Sequence, residues 1–177
     1  MQVHVPRHLE ARIPKIKVVV VDDDHYMRKV VRTMLMAIGV RNIFEASNGA
    51  AGLESIKVNN PDVVIVDWEM PHVDGLQFTR MVRSPNTFPH PDVPIILLTG
   101  HADRWRVLEA ARFGIHEYLL KPVSTKALLE RIVSVLTHPR QMIHIDGYYG
   151  PAPRKTVVLP DDPQPQGNPD DDILLLR

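Results

Sequence analysis

The chain has 177 residues, no cysteine and a formal net charge of zero, with 21 basic and 21 acidic residues. This length fits one domain with extensions, because a domain of ~120 residues buries enough apolar surface to fold alone. The charge balance gives no support for a nucleic-acid-binding or anionic-membrane surface, and the lack of cysteine excludes disulfides and thiolate chemistry.

Three regions are predicted along the chain. Residues 1–15 form an N-terminal extension that lies over the domain, residues 16–137 form the domain, and residues 138–177 form a tail rich in proline and aspartate. Such a tail is a poor core former, so we expect it to be mostly disordered or draped over the surface. Its clusters at 148–155 and 173–176 are either solvated or act as docking motifs.

The N-terminus lacks the apolar core of a signal peptide, and no later segment approaches ~20 consecutive apolar residues. The absence of cysteine fits a reducing compartment. We therefore expect a soluble cytoplasmic protein that does not enter a membrane.

Five strands and five helices are predicted to alternate in the domain. The strands at 17–21, 63–66 and 95–98 are unbroken runs of branched or aliphatic residues, which is typical of parallel strands buried on both faces. The helices carry apolar residues at helical spacing and begin near capping residues. This alternation predicts an α/β fold with one doubly wound parallel sheet. The other predicted elements are strands at 42–46 and 117–120 and helices at 27–38, 50–58, 75–83, 103–113 and 124–136, with an irregular proline-rich loop at 84–94.

Acidic residues end two of the buried strands. Asp22, Asp23 and Asp24 follow the first strand, and Asp67 ends the third. If these strands are neighbours, each like-charged pair at ~4 Å costs roughly 4 kcal/mol at an effective dielectric of about 20. A cation relieves that repulsion, and hard oxygen ligands without cysteine indicate Mg²⁺. Asp24 is interpreted as a helix cap, Asp22, Asp23 and Asp67 as candidate metal ligands, and Asp67 as the candidate reactive group.

The strand ends together carry a recognisable set of motifs. They read VDDD, VDWEMPxxDG, LLTG and EYLLKP, and in this order and spacing they resemble the receiver domain of two-component response regulators, especially the single-domain chemotaxis type. The resemblance covers about residues 16–137. It implies a flavodoxin-like fold, in which a five-stranded parallel sheet of order 2-1-3-4-5 has helices on both faces.

The resemblance also implies roles for the acidic residues. Asp67 matches the phosphoacceptor, which forms an acyl phosphate by in-line attack on a phosphohistidine of a partner kinase. Asp23 and Asp67 would bind Mg²⁺ directly, and Asp22 would bind it through water. Glu69 would supply its backbone carbonyl to the metal.

The later strand ends match the family's phosphoryl-binding and switch positions. Thr99 would donate its hydroxyl to the phosphoryl group, with Gly100 beside it, and Lys121 would form an ion pair with it. Tyr118 matches the aromatic residue whose rotamer follows Thr99. Such a set is chemically sufficient, because phosphoryl transfer needs mainly positioning and charge stabilisation.

Glu69 and His101 occupy two positions that vary across the family and are linked there to phosphate lifetime. A carboxylate and an imidazole at these positions are predicted to pair across the site and to obstruct an attacking water. Replacing both should therefore change the rate of autodephosphorylation.

The resemblance implies two classes of partner. One is a histidine kinase or a histidine phosphotransfer protein, and the other is a downstream protein that binds the tail or the face made by residues 103–113, 117–120 and 124–136. A homodimer is compatible with it, whereas nucleic acid and membrane are not expected partners. Apart from its own phosphotransfer and autodephosphorylation the chain is not expected to be an enzyme, since no DNA-binding or catalytic domain is recognised after the receiver region.

Two other functions fit parts of the same pattern. A haloacid-dehalogenase-like phosphatase would use Asp22 as nucleophile, but that family's motif departs from this chain at Tyr26 and needs a further acidic strand end after the lysine. An adaptor of the same fold that works without phosphorylation would not need the complete set of acids. Replacing Asp67 or Asp22 by asparagine separates the signalling function from the phosphatase.

Overall fold

The computed structural model describes residues 5–101 and 103–153. Its centre is a sheet of five parallel strands in the order β2-β1-β3-β4-β5, as the resemblance implied. The predicted α/β fold with a doubly wound sheet is therefore confirmed. The strands are β1 Lys17–Val21, β2 Asn42–Ala46, β3 Val63–Asp67, β4 Ile95–Thr99 and β5 Glu117–Leu120.

The helices lie on both faces of the sheet, and four of them begin at side-chain caps. Asp24, Asn48, Asp74 and Ser124 each accept a hydrogen bond from a backbone N–H in the first turn of the helix that follows. The predicted caps Asp24 and Ser124 are thus confirmed, and the five predicted helices are present with ends shifted by at most a few residues. The helices are α1 Arg7–Glu10, α2 His25–Ile38, α3 Gly49–Asn59, α4 Gly75–Val82, α5 Arg104–Arg112 and α6 Thr125–Thr137.

Two apolar clusters form the core, one on each face of the sheet. In β1, Val19 and Val21 point into one cluster and Val18 and Val20 into the other, because successive side chains of a strand alternate between faces. The first cluster is completed by α3 and α4, and the second by α2 and α6. The central strands β1, β3 and β4 are therefore buried along nearly all of their length, which leaves their ends open for chemistry.

The strand register brings the functional strand ends to one edge of the sheet. Val21 of β1 pairs with Val66 of β3, so the residues that come next, Asp22 and Asp67, lie beside each other. Thr99 pairs with Leu120, which places Lys121 one residue beyond this pair. The register therefore gathers the predicted site residues at the carboxyl edge.

The N-terminal extension packs on the second cluster. Leu9 of α1 and Ile13 of a short 3-10 helix, Ile13–Lys15, are both buried there. The extension lies over the domain as expected, but these two helical turns were not predicted. Within the described residues, no helix combines the length and the apolar character needed to cross a bilayer.

The C-terminal region contains a hairpin that the sequence analysis missed. Strands β6 Met142–Ile145 and β7 Tyr148–Pro151 pair in antiparallel fashion around a two-residue turn. Asp146 and Gly147 in that turn have φ values of 46° and 81°, and Asp-Gly is a strong signal for such hairpins. The expectation of a mostly disordered or draped tail overlooked this signal. The rest of the tail, with the cluster at 173–176, lies outside the described residues.

Candidate functional site

Three carboxylates meet at the carboxyl edge of the sheet. Asp22, Asp23 and Asp67 each offer an oxygen, and these oxygens all lie within 4.8 Å of one another. Asp22 and Asp67 are only 1% and 4% exposed, whereas Asp23 faces solvent. The geometry suits a divalent cation that reaches the buried pair from the solvent side.

Asp22 shows the clearest sign of a missing positive charge. Its Oδ1 accepts a hydrogen bond from the backbone N–H of Asp24 at 2.9 Å, but its buried Oδ2 has no hydrogen-bond partner. Burial, helped by the charge of Asp67, raises the pKa of Asp22 to about 6 against the opposing effects of the hydrogen bond from the Asp24 N–H and the charge of Lys121. A buried carboxylate oxygen without a partner is costly, so a cation here would stabilise the folded protein.

Lys121 supplies the positive charge on the other side of Asp67. Its Nζ lies 2.7 Å from Asp67 Oδ1 and 3.9 Å from Asp22 Oδ2. Burial raises the pKa of Asp67, and the hydrogen bond from Lys121 opposes that shift. The lysine therefore favours the ionised form of this buried carboxylate, which is the form that acts as a nucleophile.

Thr99 is fully buried at the end of β4, and its Oγ1 accepts a hydrogen bond from the backbone N–H of His101 at 3.0 Å. The hydroxyl proton is not used in that bond, so the Thr99 hydroxyl can also donate a hydrogen bond. At Gly100 an added Cβ would meet no atom within 4 Å, so steric fit does not explain this glycine. Its predicted role stays a prediction.

Tyr118 contacts the same loop. Its hydroxyl donates a short hydrogen bond to the carbonyl oxygen of His101, and its ring is half-buried. Burial raises the pKa of Tyr118, while a hydrogen bond with Thr99 acts in the opposite direction. Thr99, His101 and Tyr118 thus form one connected group, as a coupled switch requires.

The predicted contact between Glu69 and His101 is present. His101 Nε2 lies 2.6 Å from Glu69 Oε1, and both side chains remain about half exposed. Glu69 is also close enough to Asp67 for its charge to raise the pKa of the Asp67 carboxyl. The pair therefore lies beside the reactive carboxylate. The predicted use of the Glu69 carbonyl as a metal ligand stays a prediction.

Sequence reasoning missed two residues that shape this edge. The Arg106 guanidinium lies 5.2 Å from the ring centroid of Trp68 and 5.0 Å from that of Trp105, so it connects the residue after Asp67 to an exposed tryptophan. No sequence signal predicts this contact. At Gly75, a Cβ would lie 2.5 Å from the carbonyl oxygen of Asp67, and the Asp-Gly pair that opens α4 was the available signal.

Comparisons with known proteins agree with this geometry. Residues 18–133 match the family model of the response regulator receiver domain. Chemotaxis protein CheY of Pseudomonas aeruginosa is 32% identical over 120 residues, which cover 68% of this chain and 95% of that protein. Chemotaxis protein CheY1 of Helicobacter pylori is 33% identical over 122 residues, 68% of this chain and 97% of that protein.

Solved structures give the same result. A response regulator receiver domain protein from Clostridium thermocellum has a TM-score of 0.62 and 30% identity, and the match covers 69% of this chain and 94% of that one. The receiver domain of sensor histidine kinase PA1611 from Pseudomonas aeruginosa, with a magnesium ion coordinated in its active site cleft, has a TM-score of 0.58 and 28% identity over 67% of this chain and 94% of that one. The hairpin at 142–151 lies beyond the region that the family model matches.

Proposed function

Because this chain belongs to the response regulator receiver family, we propose that it is a phosphorylation-controlled signalling protein and that Asp67 is its phosphoacceptor. One observation carries the proposal: Asp22, Asp23 and Asp67 cluster within 4.8 Å, and Lys121 Nζ lies 2.7 Å from Asp67. Carboxylate, paired carboxylates and lysine are the groups that phosphoryl transfer to an aspartate requires.

Asp22, Asp23 and Asp67 would hold Mg²⁺, with the backbone carbonyl of Glu69 as a further ligand. The bound ion would neutralise the carboxylate cluster and part of the phosphoryl charge. The unpartnered Oδ2 of Asp22 supports this assignment, because it leaves a buried negative charge for a cation to compensate. Carboxylate oxygens without sulfur ligands suit Mg²⁺ better than softer metals.

In the transfer itself, a carboxylate oxygen of Asp67 attacks the phosphorus of a phosphohistidine on a histidine kinase or a histidine phosphotransfer protein. The new O–P bond forms as the N–P bond breaks, and the departing imidazole nitrogen keeps the electron pair. Lys121 then pairs with the phosphoryl oxygens and Thr99 donates its hydroxyl to them. Outside this self-phosphorylation and the loss of the phosphate, the protein acts as a switch and is not an enzyme.

The switch would use the group formed by Thr99, His101 and Tyr118. When Thr99 turns toward the phosphoryl group, Tyr118 moves into the space that is vacated and changes the face formed by α5, β5 and α6. Trp105 and Leu120 on this face are 60% and 42% exposed, which suits a protein partner or a second copy of the chain. The lack of cysteine and the kinase partner fit a cytoplasmic protein.

The test is chemical labelling with a small phosphodonor, phosphoramidate, in the presence of Mg²⁺. Asp67→Asn should abolish incorporation of phosphate, whereas the matched change Asp146→Asn, in the hairpin turn, should leave it unchanged. Phosphate on Asp22 in place of Asp67 would favour the phosphatase. If the wild type takes up no phosphate, and Trp68 fluorescence responds neither to Mg²⁺ nor to beryllofluoride, the phosphorylation-independent adaptor is favoured.

A further inference from the structure

A cavity of about 320 Å³ lies at the end of the molecule opposite Asp67. It is formed by the C-terminal ends of α4 and α5 and by the turn of the β6–β7 hairpin. Because both helices begin at the carboxyl edge of the sheet, their C-terminal ends lie at the amino edge. The hairpin wall of this cavity falls outside the matched family region, whereas the helix ends lie within it.

The cavity is positively charged. Arg80, Arg83 and Arg112 line it, and Asp146 is the acidic residue in its wall. None of the three guanidinium groups forms an ion pair with a carboxylate in the part of the chain that the structure describes. This is a local excess of positive charge in a chain whose formal net charge is zero.

Arg83 is the most informative of the three, since it is only 6% exposed. It donates from Nε to the carbonyl of Gly114 at 3.0 Å and from Nη1 to the carbonyl of Pro91, and its Nη2 contacts the ring nitrogen Nδ1 of His116 at 3.1 Å. These contacts use three of the five N–H groups of a guanidinium. A buried cation at the wall of a cavity favours an anion there.

The helix ends explain part of this pattern. Basic side chains near a helix C-terminus interact favourably with the helix macrodipole, and this alone would account for Arg80 and Arg112, which are both exposed. It does not account for Arg83, because an arginine needs no burial to stabilise a helix end. The buried guanidinium is held by the carbonyls of Gly114 and Pro91 and by His116, and it places a fixed positive charge at the wall of the cavity.

The other walls of the cavity are aromatic. Phe113, Tyr148 and Tyr149 line it, and all three are half-buried. Guanidinium groups bind phosphate oxygens in a bidentate manner, and aromatic side chains stack on planar rings. A volume of about 320 Å³ is at the lower end of the range for small-molecule sites.

We propose that this cavity binds a small phosphorylated molecule with a planar ring, which is the chemistry of a nucleotide. Arg80 and Arg112 contact the phosphate groups, Arg83 provides buried positive charge beneath them, and the aromatic walls contact the ring. The proposal does not depend on phosphorylation of Asp67. A ligand here would contact the end of α5, and the other end of this helix follows the Thr99–His101 loop.

The test is calorimetric titration of the full-length chain with ADP and, separately, with pyrophosphate, in EDTA so that no metal bridges phosphate to the acidic cluster. We expect saturable 1:1 binding of ADP and weaker binding of pyrophosphate, which lacks the ring. Arg80→Gln/Arg112→Gln should weaken ADP binding by about tenfold or more. The matched double variant Arg7→Gln/Arg41→Gln, which removes the same charge elsewhere, should bind like the wild type.

Two further variants locate the ligand. Lys121→Gln should leave ADP binding intact, which separates this cavity from the site at Asp67, and Tyr149→Leu should reduce the advantage of ADP over pyrophosphate. No saturable binding of either probe, an equal loss in both double-arginine variants, or loss in Lys121→Gln would overturn the proposal. Binding that appears only after Asp161→Asn/Asp162→Asn would also overturn it, because the chain's own acids would then be the occupant.

Discussion

The two ends of the central sheet differ in how their buried charges are compensated. At the carboxyl edge, Asp22 keeps a buried carboxylate oxygen with no hydrogen-bond partner, and two further carboxylates lie within 4.8 Å. At the amino edge, the buried Arg83 is surrounded by oxygen and nitrogen acceptors from two segments of the chain, at Pro91 and at 114–116. The carboxyl edge thus carries negative charge that is not fully compensated, whereas the positive charge at the amino edge is held by hydrogen bonds.

This difference indicates a ligand-binding role for the carboxyl edge and a structural role for Arg83. An incomplete cluster lowers stability and is retained where a ligand completes it, whereas a satisfied buried charge holds distant segments in place. Arg83 joins the end of α4 to the start of the β5 region, and the hairpin closes over both through Tyr149, whose hydroxyl donates to Asp92. Mutations at the two edges should therefore have different effects on activity and stability.

The largest effect is expected from Lys121→Met at the carboxyl edge. Loss of this cation removes the charge beside Asp67, so phosphorylation by phosphoramidate should slow by about 10²- to 10³-fold. Rates of phosphate incorporation under saturating Mg²⁺ measure this, with the fold checked by circular dichroism. The matched variant Lys126→Met, at an exposed position of α6, should react at the wild-type rate, and an unchanged rate in Lys121→Met would contradict the assigned role.

Arg83→Met should have a large effect on stability. It leaves the carbonyls of Gly114 and Pro91 without their donor in a buried position, which we expect to cost about 3 kcal/mol of unfolding free energy. Urea denaturation measures the loss, and Arg41→Met should change the unfolding free energy by less than about 0.5 kcal/mol. A loss as small as that of the control would mean that the amino edge does not depend on this charge.

Asp22→Asn should stabilise the metal-free protein. The folded pKa of about 6 lies above the ordinary aspartate value of 3.8, so the folded state binds this proton more tightly than the unfolded chain does. The contribution of Asp22 is therefore most favourable below about pH 4 and is lost as the pH rises to about 6, a change on the order of 3 kcal/mol.

Urea denaturation in EDTA at several pH values tests this. The difference between Asp22→Asn and wild type should grow in favour of the variant from pH 4 to pH 6 and then level off. Addition of Mg²⁺ should stabilise the wild type, because the ion compensates the negative charge of the buried Asp22 carboxylate. It should have little effect on Asp22→Asn, which lacks that charge. A difference that is independent of pH would show that Asp22 is not the group that titrates.

A smaller effect, on the rate of autodephosphorylation, is expected from removing the contact between Glu69 and His101. Glu69→Ala/His101→Ala removes a pair that obstructs the approach of water, so autodephosphorylation should accelerate by about three- to tenfold, or roughly 1 kcal/mol. The decay of phosphorylated protein after removal of the donor measures the rate. The double change His8→Ala/Glu10→Ala, at two exposed residues of α1, removes the same side-chain types away from this pair, and an equal half-life in both variants would contradict the obstruction.

Much of this molecule follows from local sequence patterns. The branched apolar runs at 17–21, 63–66 and 95–98 predicted the buried strands, and the acids at their ends predicted the cluster at the carboxyl edge. These predictions succeeded because strand alternation and the parallel register are fixed by short-range geometry. The hairpin at 142–151 carried an equally local signal, the Asp-Gly turn, but the proline-rich composition around it obscured that signal.

The sequence by itself determined which elements form, in what order they run and which residue types stand at the strand ends. Only the tertiary structure decided that Asp22 Oδ2 is left without a partner, that Arg106 lies between Trp68 and Trp105, and that Arg83 is buried under the hairpin. These features join residues that are far apart in sequence. Their energies depend on burial and on distances of a few ångströms, which packing sets and local propensity does not.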